Sequence, residues 1–218
     1  MITLSYFKPL TMNDSVANGG GFSGNPVINY RRNNLFPDVS TSEVIDGYTR
    51  YRKCFVIPNE KLTILQAFAL PSYADDGMLI HLGTDTDTQA DADDYTGWKG
   101  AGNLLAVLSI GLVTTISLQA EYPGVGFNDN DLIRIGNNDE NEDFVRIKTV
   151  SWAGRVATLT MMPFQFITSA YSIGDSVSSV LEISALISSQ AFWVKEMVPT
   201  DIKSYVNSLT RLTFKGRN

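Results

Sequence analysis

The chain has 218 residues, of which 44% are hydrophobic and 18% are charged. A chain of this length can bury a sizeable core in one or two domains, and its charged share is below the about 25% usual for soluble domains. The formal net charge of −6 argues against nucleic acid as a partner, because acidic surfaces repel phosphate backbones.

The first forty residues carry little periodic pattern. Residues 18–24 read NGGGFSG, a stretch that offers almost no side chains for packing. Leu35 and Phe36 follow as the apolar anchors of this region. We therefore predict an extended N-terminal arm over residues 1–40 that docks on the body of the protein or on a neighbouring molecule, with a plain N-terminal loop as the alternative.

The first strand signal covers residues 48–57, which are rich in aromatic and β-branched residues and end at a Pro-Asn turn. Period-two alternation places Arg50 and Arg52 on one face of this strand, which we interpret as a solvated face. Together with Leu35 and Phe36, these two arginines form the predicted interface. Cys54 is the only cysteine, and in this strand we expect it to be a buried small hydrophobe.

Residues 62–70 are apolar on both faces and predict a strand between two packed layers, followed by a short strand over residues 78–82. Residues 83–102 form an acidic, turn-rich loop whose far end we expect Tyr95 and Trp98 to pin. The apolar stretch 104–118 is interrupted by Ser, Gly and Thr and is too short for a membrane-spanning helix. We predict strands and a crossover there, and no membrane partner.

Short strands at close spacing follow, over residues 132–135, 144–150, 156–162 and 177–183, and they are typical of a small barrel or sandwich. Residues 191–197 and 209–214 predict two closing strands, although 201–212 also has near-helical apolar spacing. The predicted fold class is all-β: a β-sandwich with a small inserted β-barrel or sandwich domain. The sandwich would comprise residues 41–112 plus 184–218, and the insertion residues 113–183.

Groups suited to catalysis are few. The only histidine, His81, and the only cysteine, Cys54, carry no local catalytic motif, and a zinc site built only from Cys and His is ruled out by their number. Paired carboxylates could serve a glycosidase, but with 23 acidic residues some pair is always available. We expect no catalytic residue, no cofactor-binding residue and no small-molecule substrate.

The acidic loop between Asp85 and Asp94 has the oxygen ligands that suit calcium, but its spacing departs from the EF-hand pattern. Counting from Asp85, the sixth position is Ala90 instead of Gly, and the twelfth is Thr96 instead of Glu. We interpret the segment as a solvated acidic loop and predict no metal site. The polar run 137–143 (NNDENED) is interpreted in the same way, as a solvated hairpin tip.

Two segments carry a resemblance to a known group of proteins. Residues 33–59 read NNLFPDVSTSEVIDGYTRYRKCFVIPN, and residues 192–202 read FWVKEMVPTDI. Both resemble segments of uncharacterised structural proteins of tailed bacteriophages, in which an NNLFPDVS approach, a Gly before YRK and a closing FW-x-(R/K)-x-x-VP strand recur. The middle stretch, from DLIRI to SVSSVL, is similar to a small phage β-module.

The resemblance implies a virion component, assembled in the host cytoplasm, and it implies no catalytic residue. We therefore expect a non-enzymatic structural protein of the tail or baseplate, in preference to the neck or head. Its expected partners are other phage structural proteins and further copies of itself, since virion parts are commonly symmetric. The alternatives are a carbohydrate-binding adhesin module that uses exposed tryptophans such as Trp98 or Trp152, and a carboxylate-dependent hydrolase.

Overall fold

The computed structural model of the protein describes residues 2–27, 35–36, 40–71, 77–136, 141–198 and 212–218. Within these residues the chain is almost entirely β-structure, and its two helices, α1 (Thr41–Asp46) and α2 (Gln89–Asp93), are short. The predicted all-β class is confirmed. Most of the segment 201–212, with its strand and helix alternatives, lies outside the described residues.

Fifteen strands make up the described fold. In chain order they are β1 (Leu4–Thr11), β2 (Gly19–Pro26), β3 (Tyr48–Pro58), β4 (Ile64–Ala69), β5 (Gly77–Gly83), β6 (Ala101–Leu104), β7 (Gly111–Leu112), β8 (Thr115–Ala120), β9 (Leu132–Gly136), β10 (Glu142–Ala153), β11 (Val156–Met161), β12 (Phe166–Ile167), β13 (Ser176–Ser184), β14 (Gln190–Val198) and β15 (Leu212–Arg217).

A five-stranded antiparallel sheet in the order β2-β1-β3-β14-β5 packs against a second layer formed by β15, β4 and part of β13. The core between these layers is apolar and includes Val56 of β3, Leu65 of β4 and Phe192 of β14, all of them fully buried. The predicted strand between two packed layers is therefore confirmed for β4, since five of its six residues are buried.

Six strands close a small barrel in the order β13-β6-β8-β11-β10-β9, and β9 pairs back to β13. Its interior is filled by the inward-facing half of each alternating strand, with Ile116, Ile133 and Leu159 among the fully buried residues. The barrel is thus a packed core, as expected for so few strands.

Strand β13 belongs to both parts of the fold. Its first half, Ser176–Val180, pairs with β9, and its second half, Leu181–Ser184, pairs with β4 of the sandwich. Among the described residues, the C-terminal strands β14 and β15 pair only with β3, β5 and β4. Strand β6 lies in the barrel although it precedes residue 113. The division into an outer domain and an insertion at 113–183 stays a prediction.

The N-terminal arm was predicted over residues 1–40 to dock on the body of the protein or on a neighbouring molecule, and its described part forms two strands of the body. Strand β1 pairs with β3 from Leu4 opposite Pro58 to Phe7 opposite Phe55, and β2 pairs with β1. This region docks on its own chain as the edge of the five-stranded sheet. Backbone hydrogen bonds carry the pairing, so a glycine-rich segment can form it without an apolar repeat. Residues 1, 28–34 and 37–39 of the predicted arm lie outside the described residues.

Candidate assembly surface

Arg50 and Arg52 share one face of β3, as the alternation predicts, but both are buried. Arg50 forms an ion pair with Glu43 of α1, and its guanidinium lies 4.3 Å from the centre of the Tyr48 ring. Helix α1 begins after Ser40, which forms a capping box with Glu43. The interpretation of this strand face as solvated was wrong, because α1 and the N-terminal segments cover it.

Arg52 joins three separate parts of the chain. Its guanidinium lies 2.6 Å from a carboxylate oxygen of Asp14 and donates hydrogen bonds to the backbone oxygens of Asn13 and Leu35, both at 3.0 Å. The ring of Phe36 lies 5.5 Å away. Three of the four predicted interface residues, Leu35, Phe36 and Arg52, therefore meet within one chain. Their role in contacts with another molecule stays a prediction.

On the opposite face of β3, Lys53 forms a buried ion pair with Asp87, a residue of the predicted solvated loop. Lys53 also donates to the backbone oxygens of Gly20, at 2.8 Å, and Asp87, at 3.0 Å. The second carboxylate oxygen of Asp87 accepts from Tyr95 and from Trp193 Nε1. Burial alone would raise the pKa of Asp87, but the Lys53 charge and these hydrogen bonds outweigh it and hold the pKa below its ordinary value. Asp87 thus anchors the loop instead of being solvated.

Cys54 and His81 point to opposite faces of the sheet. Cys54 is in register with Phe192 and Leu82, whereas His81 is in register with Trp193 and Lys53. Because neighbouring positions along a strand face opposite ways, a Cys54–His81 catalytic pair cannot form. Burial also raises the pKa of the Cys54 thiol to about 12, so the sulfur stays protonated and unreactive.

The tryptophans do not form an exposed platform. Trp193 is fully buried beside the Lys53–Asp87 pair, and Trp98 is 4% exposed and packs against Tyr51 with ring centres 6.0 Å apart. Trp98 Nε1 donates to the backbone oxygen of Tyr95, so these two residues pin the far end of the acidic loop as predicted. Trp152 is half-buried against the barrel core. The first two rings are therefore not available for stacking on a sugar.

Within the described residues, the most exposed apolar surface lies at one end of the barrel, on two long loops. Residues 105–114 connect β6 to β8, and residues 162–175 connect β11 to β13. Leu108 and Tyr171 exchange two backbone hydrogen bonds of 2.9 Å, and β7 pairs with β12. Neither 104–120 nor 156–174 contains a charged residue. The two loops thus form one ribbon across the end of the barrel, and it is uncharged except for Asp175 at its last position.

This ribbon has two apolar faces. Val113, Ile167 and Tyr171 point inward and complete the barrel core. Phe166 and Leu112, which are opposite each other in register, point outward with 59% and 57% of their surfaces exposed. We call the outward side the apolar ridge. It comprises the exposed large apolar residues of the two loops: Leu105, Val107, Ile110, Leu112, Phe164, Phe166 and Ile173.

The ridge is held in place by a buried carboxylate. Asp143 of β10 accepts hydrogen bonds from the backbone N–H groups of Thr168 and Ser169, at 2.9 and 3.0 Å, and from the Tyr171 hydroxyl at 2.9 Å. Burial acts to raise the pKa of Asp143, but these hydrogen bonds outweigh it and lower the pKa. Asp143 was predicted to lie in a solvated hairpin tip, and that was wrong: it is buried. Residues 137–140 lie outside the described residues.

Sequence reasoning missed the ridge because it interpreted the apolar run at 104–118 as interior strand. An absence of charge in two segments of similar length was the available signal.

Comparison with known proteins adds no assignment: no family model, curated protein or solved structure matches the chain. None of the helices in the described residues is long and apolar enough to cross a membrane. Over those same residues, no three His, Cys, Asp or Glu side chains form a group that could hold a metal ion.

Proposed function

We propose that this chain is a non-enzymatic structural component of a tailed-phage virion that acts by binding other virion proteins, in the tail or baseplate in preference to the neck or head. The apolar ridge is the observation that carries the assembly role. The resemblance of residues 33–59 and 192–202 to phage structural proteins supports the virion setting.

The size of the ridge supports a protein-binding role. Its seven residues are between 42% and 81% exposed. At roughly 100 Å² of apolar surface each, they present on the order of 700 Å². Exposed apolar patches beyond about 300–600 Å² mark interaction surfaces, and each partner in a stable protein complex contributes about 800 Å². An antiparallel ribbon that only needed to close the barrel would carry polar residues on its outer face.

The conformation of Phe164 supports the same role. Its φ is 61°, in the left-handed region, and its ring is 81% exposed. A bulky residue in that region costs about 1–2 kcal/mol relative to ordinary backbone. Since the exposed ring recovers little of this by packing within the chain, the arrangement favours contact with a partner.

Immunogold electron microscopy of purified particles of the phage that encodes this chain tests this proposal. We expect labelling at one discrete place on the particle, and we expect the chain among the proteins of washed particles. Phage that encode Phe166→Asp should incorporate less of the protein than phage that encode Ile187→Asp. Ile187 is a suitable control because it is 72% exposed and lies outside the ridge. Wild-type protein found in the lysate but absent from particles would contradict the proposal.

A further inference from the structure

We propose that the apolar ridge binds the ridge of a second copy of this chain, so that two barrels meet end to end across a two-fold axis. This inference rests on the proposed assembly role and names the partner of the same surface. Its basis is the match between what the ridge requires of a partner and what this chain itself offers.

The first requirement is an uncharged surface. Charged residues are depleted at the centres of protein interfaces because burying an unpaired charge is costly. The chain has no charged residue between positions 104 and 120 or between positions 156 and 174, which include all seven ridge residues. The ridge therefore gives a charged partner surface nothing to pair with. Each chain carries a formal charge of −6, so two copies repel each other unless they meet through a neutral region. The ridge is such a region on both.

The second requirement is a partner surface of similar apolar area. Outside the ridge, the exposed large apolar residues of the described chain are scattered over separate elements: Leu10, Val16, Phe22, Ile45 and Ile187. No group of them within that part of the chain approaches the seven of the ridge. The surface of a second copy that matches a ridge best is therefore its own ridge. Such a self-complementary contact generates a two-fold dimer, the commonest symmetric oligomer.

A lipid surface is the less favoured occupant. Interfacial membrane binding by a protein combines apolar side chains with basic residues that attract anionic lipids. The two ridge loops contain no Lys or Arg, and the net charge of the chain is negative. Vesicles of neutral lipid therefore test this alternative more directly than vesicles of anionic lipid.

Sedimentation velocity of the full-length chain, from about 1 to 100 μM, tests the inference, because interfaces of this size bind with micromolar or tighter dissociation constants. We expect a concentration-dependent dimer for the wild type and for Ile187→Asp. Phe166→Asp and Leu112→Asp should each raise the dissociation constant at least about 100-fold, because a two-fold contact buries every substituted carboxylate twice. Circular dichroism should show that both ridge variants keep the wild-type fold, since the two side chains are more than half exposed.

Three results would overturn the inference. A wild-type monomer at every concentration would exclude ridge-to-ridge pairing, as would a dimer that both ridge variants leave intact. Flotation with phosphatidylcholine vesicles that is lost in Phe166→Asp would assign the ridge to lipid. If the free chain is monomeric but Phe166→Asp is lost from particles, another virion protein occupies the ridge. In that case the proposed function stands and only the second-copy inference fails.

Discussion

Lys53 Nζ lies 2.5 Å from Asp87 Oδ1, with the two side chains 0% and 4% exposed. This ion pair connects the centre of β3 to the loop between β5 and β6, and Asp87 further accepts a hydrogen bond from Trp193 Nε1 at 2.9 Å. Buried pairs of this kind add little net stability when intact, but the loss of one partner leaves an uncompensated charge in the interior.

Asp87→Ala should therefore lower the free energy of unfolding by about 3–5 kcal/mol, measured by urea denaturation. Asp85→Ala removes an exposed carboxylate from the same loop, and we expect it to change stability by no more than about 0.5 kcal/mol. The double variant Lys53→Met, Asp87→Ala should lose less than Asp87→Ala alone, because it leaves no unpaired ammonium. Equal losses in the single and the double variant would contradict this account of the pair.

The hydrogen bonds to Asp143 predict a specific pH dependence. The pKa of this carboxyl is lower in the folded protein than its ordinary value, which is about 3.9 for an unfolded chain. Its stabilising contribution is therefore fully present above about pH 4 and is lost as the pH falls through the lower, folded pKa. The difference in unfolding free energy between wild type and Asp143→Asn should be constant from pH 7 to about 5 and shrink below about 4.

Urea denaturation at several pH values measures this difference. The exposed Asp94→Asn serves as the control, and its effect should stay within about 0.5 kcal/mol throughout. A wild-type advantage over Asp143→Asn that persists unchanged to pH 3 would be inconsistent with an ionised, hydrogen-bonded Asp143.

Strands that are rich in aromatic and β-branched residues, or that are bounded by clear turn residues, were predictable from the sequence. Aromatic and β-branched residues predicted β3 and β14, and turn residues such as Gly154 separated β10 from β11. Helix α1 was missed although Ser40 and Glu43 form the S-x-x-E signature of a capping box. The spacing of these two residues is thus a sequence signal for the start of this helix.

The partners of buried charges were beyond sequence reasoning. Lys53 and Asp87 are 34 residues apart, and period-two alternation gives the face of a strand but not what covers it. The ridge was obscured for a related reason. Both faces of its ribbon are apolar, and hydrophobicity alone cannot show which of two apolar faces is buried. Leu112 and Val113 are adjacent, yet one is exposed and the other belongs to the barrel core.

Calcium should not stabilise the acidic loop. Asp87 is committed to the Lys53 ion pair, and Asp91 accepts hydrogen bonds from the backbone N–H and the hydroxyl of Thr88 at 2.8 and 3.0 Å. A calcium site at 100 times its dissociation constant would add about 2.7 kcal/mol, which would raise the melting temperature by several degrees. Differential scanning calorimetry with millimolar calcium, with magnesium as the control, should show no such rise. A calcium-specific increase of several degrees would refute the prediction.

Substitutions at two adjacent glycines distinguish the energetic cost of steric crowding from the cost of an unfavourable backbone conformation. Gly19 and Gly20 both have positive φ, 114° and 71°. A Cβ at Gly19 would lie 2.8 Å from ring atoms of Trp193 and from the backbone oxygen of Asp87, whereas a Cβ at Gly20 would meet nothing within 4 Å. Gly20→Ala should cost about 1 kcal/mol through its left-handed backbone alone. Gly19→Ala should cost a further 1–3 kcal/mol, roughly, because the fully buried Trp193 cannot move aside without disturbing its hydrogen bond to Asp87. Thermal and urea unfolding of the two variants compare these costs directly. Equal destabilisation would mean that β2 does not pass as close to Trp193 as the structure places it.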